Sequence, residues 1–211
     1  MTDTPDNVLL ERWRAGDRQA GNRLYSRYYS QVTRYFGNSV GQREQRDLTQ
    51  ETFTRLVKAT ANFVGDCSFR TFVFSVAHHV LLDFLRARYR GRGEFDPLTH
   101  TVEDIEHPSP SAALSELGRH ERLFRAMRAL PVATKQLLED YYWHGMTSAE
   151  LAPGLGITAS AVRTRVQTAR ELLRGHYNDL EGSPKRTEED IEQLIQSVHE
   201  LMTRDPTKKH E

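Results

Sequence analysis

The sequence predicts an all-α chain: two small helical domains joined by an acidic linker, the second containing a helix-turn-helix, followed by a C-terminal amphipathic helix. Three observations predict it. Apolar residues recur at three- and four-residue steps in most segments, and no segment shows the period-two alternation of a strand. Gly91, Gly93, Pro97, Pro108 and Pro110 bracket a stretch without sustained periodicity, which reads as a linker. Residues 145–174 read as two short helices about a tight turn. With 211 residues of which 37% are hydrophobic, two small domains fit better than one large core. The expected boundaries are 1–92 and 118–178 for the domains, 93–117 for the linker and 179–211 for the extension.

In chain order, helical spacing is expected over 8–13, 20–35, 46–59 and 69–88, then over 115–130 and 133–143. Pro131 divides the last two, at a position that starts a new helix. Thr147 and Glu150 have the spacing of a capping box, and Leu151, Ala152 and Leu155 supply the buried stripe of the first hairpin helix. Pro153 inside that helix removes an amide donor and is expected to kink or shorten it. Gly156 suits the positive φ of the turn, and Thr158 or Ser160 caps the next helix. There Ala161, Val162, Val166, Ala169 and Leu173 fall on one side and leave Arg163, Thr164, Gln167, Thr168 and Arg170 largely on the other, a polar face suited to a major groove. Residues 187–203 place Ile191, Leu194, Ile195, Val198 and Leu201 or Met202 on one stripe, capped by Thr187 with Asp190.

Net charge is zero, but it is not evenly spread. Residues 1–92 carry 15 basic against 9 acidic side chains, and residues 118–178 carry 9 against 5. Residues 93–117 carry none against 6, and residues 179–211 carry 5 against 9. Phosphate binding depends on local charge, so two basic domains flanked by acidic segments suit nucleic acid. The lone Cys67 excludes an internal disulfide framework and a cysteine-rich zinc site, pointing to a reducing compartment, the cytoplasm by default. No apolar run is long enough to span a bilayer, and the start MTDTPDN lacks the features of a signal peptide, so a soluble, unexported protein without membrane insertion is expected.

Two further segments bear on chemistry. In 46–63, Asp47, Gln50 and Glu51 share one helix face, while Leu48, Phe53, Leu56 and Val57 are expected to turn inward. No histidine or third carboxylate nearby completes a metal set around Asp47 and Glu51. In 68–90, Phe69, Arg70, Phe72, Phe74, His78, His79, Arg86, Arg88, Tyr89 and Arg90 mix aromatic and basic residues as a single-strand platform does: aromatics stack bases and arginines follow phosphates. The adjacent histidines diverge on a helix and do not chelate one ion together. Neither a cofactor, a metal site nor a catalytic residue is expected.

These segments, RDLTQETFTRLVKATANF and SFRTFVFSVAHHVLLDFLRARYR, lie between the start LLERWRAGDRQAGNRLYSRYYSQVTRYF and the later LPVATKQLLEDYYWHGMTSAELAPGLGITASAVRTRVQTARELL. Together they resemble bacterial RNA polymerase sigma factors of the extracytoplasmic-function (ECF) type, from about residue 8 to 177, in the family's order and spacing. The resemblance implies promoter-specific transcription initiation with core RNA polymerase, and no enzymatic activity of the chain's own. It makes Asp47, Gln50 and Glu51 part of the surface that grips a coiled coil of the polymerase's largest subunit. It makes Phe69, Arg70, Phe72, Phe74, His78, His79, Arg86 and Arg88 the segment where the −10 element is melted and a base is read. His79 stands where the family often has asparagine, and an imidazole also stacks and offers a donor or acceptor.

The resemblance assigns Arg163, Thr164, Arg165, Gln167, Thr168 and Arg170 to duplex −35 DNA, with Thr168 where the family commonly has a basic residue. It implies a linker threaded through polymerase channels and an anti-sigma factor as partner. The family pattern ends near Tyr177, so the remaining acidic tail is expected to dock on the second domain, engage a regulator or shield the basic helix. Two rivals are a helix-turn-helix regulator that acts without polymerase, which leaves 46–90 unexplained, and a helical scaffold that never touches DNA.

Overall fold

In the computed structural model, residues 4–61, 63, 65, 67–90, 93–102, 118–180 and 185–203 are described. Among them the chain forms α1 (Asp6–Arg14), α2 (Arg18–Gly37), α3 (Gln42–Thr60), α4 (Phe69–Tyr89), α5 (Gly118–Arg128), α6 (Val132–Leu138), a π-helical turn (Glu139–Trp143), α7 (Ser148–Leu155), α8 (Ala159–Asp179) and α9 (Glu188–Thr203). The expected linker beyond residue 102, the residues 115–117 of one expected helix and the joint at 182–184 lie outside the described residues, as do the side chains of Leu201 and Met202. Among the described residues the one extended pairing is an isolated antiparallel bridge between Thr101 and Pro131. The fold is all-α, in two compact units. One is built by α1–α4, the other by Pro97–Val102 with α5, α6, most of α7, α8 and α9.

In the first unit each helix start is set by a local polar group. Asp17 caps α2 by accepting from the Gln19 and Ala20 amides at 2.9 and 3.2 Å. Those amides, with Arg12 beside them, hold its carboxyl below the usual range. Ser68 caps α4 by accepting from the Thr71 amide at 3.1 Å. α4 is the central helix, with one broad apolar side: its Val73, Phe74, Ala77, Leu81 and Leu85 are buried, as are Leu24, Val32 and Phe36 of α2 and Leu56 of α3. α3 reaches the same core with threonines. Thr49, Thr52 and Thr60 are buried, and each hydroxyl donates to the carbonyl four residues back, at 2.7, 2.8 and 2.6 Å. Their hydroxyls are thereby satisfied within α3 itself, and Thr49 also meets the Thr33 hydroxyl at 3.4 Å.

α1 lies on α2 through Trp13, and the close approach requires Gly21. A Cβ there would meet the Trp13 indole at 2.7 Å. Gly21→Ala is therefore expected to lower first-unit stability by about 1–3 kcal/mol through overpacking, even though alanine favours a helix. Thermal unfolding followed at the Trp13 fluorescence checks this, and an unchanged or raised melting temperature would contradict it.

The second unit differs from expectation in three places. Residues 97–102, expected as linker, pack on this unit: Val102 is fully buried. The His100 and Pro97 carbonyls accept from the Val132 and Ala133 amides at 2.9 Å each, so they cap α6 where Pro131 offers no side-chain cap. The expected helix over 133–143 is α-helical only to Leu138 and widens into the π turn, closed by His144 N–H donating to the Glu139 carbonyl at 2.9 Å. The widened turn brings the consecutive side chains Tyr142, Trp143 and His144 all into the interior. The salt bridge of Lys135 with Glu139, 3.0 Å and fully buried, precedes it. Third, Pro153 sits inside α7, two residues before the end of this eight-residue helix, and Leu155 is exposed rather than in the stripe.

The hairpin's turn chemistry follows the expectation. Glu150 accepts from the Thr147 amide at 2.9 Å while the Glu150 amide donates back to Thr147 at 3.2 Å. Gly156 takes φ +65°. Thr158, of the two candidate caps, accepts from the Ala161 amide at 3.1 Å. Thr187 and Asp190 repeat the capping box at α9, with bonds of 2.9 and 3.2 Å.

Candidate polymerase and nucleic-acid interfaces

On α3, Asp47, Gln50 and Glu51 are all exposed on one face, while Leu48 and Leu56 are buried beneath it. Val57, expected inward, is 59% exposed, which corrects that expectation. It lies one turn beyond Phe53, whose ring packs 4.5 Å from Tyr25 and 6.1 Å from Tyr29. Tyr25 and Tyr29 are themselves exposed. The result is an apolar, aromatic surface around a cavity of about 300 Å³ lined by Trp13, Tyr25, Phe53, Leu56, Val57 and Phe69. The sequence alone does not single out Tyr25 and Tyr29, because aromatic residues four apart on a helix carry no sign of which face is covered. Glu51 is linked to Arg55 at 2.7 Å, Arg55 to Asp83 at 2.6 Å and Asp83 to Arg86 at 3.2 Å. The Arg55 hydrogen bond holds the Asp83 carboxyl below its ordinary range. Arg86, expected on phosphate, thus already has one carboxylate neighbour, although its side chain is about half exposed.

The aromatic and basic segment is divided by α4. Phe69 and Phe74 are buried, 7% and 1% exposed, and so are core residues rather than base-stacking ones. A helix in the centre of a bundle must bury some of any aromatic run it carries. Phe72 is half-buried and stacks on Phe63, ring centres 4.4 Å apart and planes 23° from parallel. Arg14 holds this end of the loop. Its guanidinium donates twice to the Thr60 carbonyl at 3.1 and 3.0 Å, bonds the Phe63 carbonyl and lies 5.7 Å from the Phe63 ring centre.

Arg70 is half-buried, and its charge acts on the Tyr28 phenol, which burial and the Asp6 carboxylate push above its ordinary value. His78 is half-buried and His79 exposed. His79 Nδ1 lies 2.7 Å from the Ser75 carbonyl; since a carbonyl only accepts, Nδ1 carries the proton and Nε2 remains an acceptor in the neutral ring. Arg86 and Arg88 are exposed on the last turns.

On α8, Val162, Val166, Ala169, Leu173 and Tyr177 are buried, and Arg163, Thr164, Arg165, Gln167 and Thr168 are exposed. At 100° per residue, Thr164, Gln167 and Thr168 form the centre of that face, with Arg163 and Arg165 on its two flanks. Arg170 departs from the expected set. Its side chain is 19% exposed, bridged to Glu188 at 2.9 Å and bonded to Glu192, both on α9. Tyr142 donates to the same Glu192 at 3.0 Å. Burial works against the Arg170 charge, but Tyr142, Glu192 and Glu188 outweigh it and hold the group protonated above its ordinary value. The signal in the sequence was Glu188 and Glu192 four apart on an acidic amphipathic helix; what it lacked was the register of that helix on α8.

Residues 24–91 match the model of Sigma-70 region 2, and residues 120–173 that of Sigma-70 region 4. The candidate residues of α3 and α4 fall inside the first match and those of α8 inside the second. The chain belongs to the ECF sigma factors. It is 26% identical over 184 residues to the ECF RNA polymerase sigma-E factor of Haemophilus influenzae, covering 83% of this chain and 96% of that protein. The sigma-E factors of Salmonella typhimurium and Escherichia coli are each 28% identical over 178 residues, covering 80% of this chain and 92% of theirs. The fold resembles that of CnrH, solved in complex with the cytosolic domain of CnrY, with a TM-score of 0.59, 22% identity and coverage of 81% of this chain and 95% of that one. As an ECF sigma factor the protein binds core RNA polymerase and promoter DNA and directs promoter-specific initiation. The region 4 match ends at residue 173, before α9 begins.

Proposed function

We propose that this sigma factor divides its work among three surfaces and performs no reaction itself. The exposed Asp47, Gln50 and Glu51 face of α3 grips a basic coiled coil of the polymerase. The outer side of α4, with Phe72, His79 and Arg86, together with Arg88 exposed at its last turn, captures the melted −10 strand, and Arg163, Thr164, Arg165, Gln167 and Thr168 of α8 read the −35 duplex. The observation that carries this reading is the sorting of one basic, aromatic-bearing helix. Its exposed residues are those of a strand-binding platform, while Phe69 and Phe74 have gone to the core. No described helix is long and apolar enough to cross a membrane. An anti-sigma factor completes the account: the Tyr25, Tyr29 and Val57 surface of the first unit is an exposed apolar patch of the kind that takes a protein partner.

The test is His79→Ala. Because His79 is exposed and bonds only a local carbonyl, the variant is expected to fold and to bind core enzyme normally. Open-complex formation, read by permanganate reactivity of the −10 thymines, is expected to fall about tenfold, the 1–3 kcal/mol of one base contact. Normal melting with unchanged −10 preference would remove His79 from the reading site.

A further inference from the structure

α9 lies outside the family match, and its apolar stripe is part of the second unit's core: Ile191, Ile195 and Val198 are fully buried and Leu194 nearly so. Trp143 Nε1 donates to the Ile195 carbonyl at 3.2 Å. Its acidic first turns then fall beside α8, where Glu188 and Glu192 both reach Arg170. Arg170 is seven residues beyond Arg163 on the same flank of α8, about 10 Å further along the helix axis. That is where a continuing row of phosphate contacts would need a cation.

We propose that α9 sets the length of the DNA footprint: Glu188 and Glu192 clasp Arg170 to the unit, so the reading face of α8 ends at Thr168 and Arg170 acts as a positioning residue rather than a DNA contact. This rests on the reading that α8 faces duplex DNA. The clasp does two things. It removes one cation from the phosphate row, and it leaves carboxylates beside the helix that approaches the backbone, which disfavours extended, sequence-independent contact. The base-reading residues in the first turns of α8 are untouched by it, so specific recognition is retained while nonspecific adhesion is reduced.

The experiment measures affinity of the full-length protein for a fork-free −35 duplex across 50–200 mM salt, for wild type, Glu188→Gln with Glu192→Gln, Arg170→Gln, the triple variant and Arg163→Ala, with each melting temperature recorded. The double variant is expected to bind more tightly and to gain one phosphate contact, so that its affinity falls about 3-fold more than wild type over that salt range. Arg170→Gln alone is expected to match the wild-type slope, and the triple variant to lose the added slope. Either a shallower slope for Arg170→Gln in the wild-type background, or an added slope that persists in the triple variant, would overturn the proposal. If the double variant unfolds, the Arg170→Gln arm alone decides. Arg163→Ala separates the two readings: if it too leaves affinity unchanged, α8 does not face DNA and the functional reading fails, whereas a loss there with the wrong Arg170 behaviour sinks only the clasp.

Discussion

The double substitution Asp47→Lys, Glu51→Lys is expected to abolish co-purification with core RNA polymerase, a loss of at least about 100-fold in affinity. The two carboxylates are exposed on one face of α3, and neither helps to build the core beneath, which is made by Leu48, Thr52 and Leu56. The cost to the fold is confined to the exposed Glu51–Arg55 ion pair at 2.7 Å, worth about 0.3–0.5 kcal/mol. Opposing a basic partner helix with two lysines instead costs several kcal/mol, since each disrupted charge pair at an interface is worth about 2–5 kcal/mol. The melting temperature of the free protein is therefore expected to stay nearly constant while binding is lost. Undiminished co-purification by the folded variant would move the polymerase contact elsewhere, and the aromatic surface at Tyr25, Tyr29 and Val57 would be the next candidate.

Cutting the chain after Leu180, or substituting Ile195→Glu, is expected to destabilise the second unit severely. Ile195 is fully buried and its carbonyl accepts from the Trp143 indole. An unpaired carboxylate there incurs a desolvation cost well above the roughly 4–5 kcal/mol that marks an exceptional substitution. Removing α9 altogether also uncovers Tyr142 and Trp143 and leaves Arg170 without its carboxylates. Each of the four buried aliphatic side chains of α9 contributes about 1.5–3 kcal/mol of burial, an upper estimate because the unfolded chain is itself partly collapsed. Urea unfolding of the truncated protein, followed by tryptophan fluorescence and by binding of a hydrophobic dye, is expected to show the second unit unfolding first. A truncated chain with an unchanged transition would mean that α9 is a passenger.

Much of the architecture could be read in the sequence because it is written in local chemistry. Capping boxes at Thr147 and Thr187, the glycine at the hairpin turn and the spacing of Val162, Val166, Ala169 and Leu173 depend only on near neighbours, and the structure contains each of them. What was illegible depended on partners distant in sequence. Whether Phe74 or Phe72 of one aromatic run is buried is decided by which side of α4 meets α2 and α3. Val57 continues an apolar pattern, yet no neighbouring helix covers it. Residues 97–102 begin at a proline and show no sustained periodicity, yet the Pro97 and His100 carbonyls are recruited by the open start of α6. The pairing of Arg170 was illegible for the same reason: a helical wheel places it beside Arg163, and only the docking of α9 shows its charge engaged by Glu188 and Glu192.

The central claim is that this chain brings core RNA polymerase to particular promoters through two separated DNA contacts. Its most direct measurement is transcription from fragmented genomic DNA by core enzyme, with and without the purified protein, mapping every RNA 5′ end. The account predicts protein-dependent starts that share two sequence elements at the −10 and −35 positions. It predicts that Arg163→Ala weakens starts according to their −35 element, and that His79→Ala weakens them according to their −10 element. RNA 5′ ends that are the same with and without the protein, although it binds both core enzyme and duplex DNA, would contradict it.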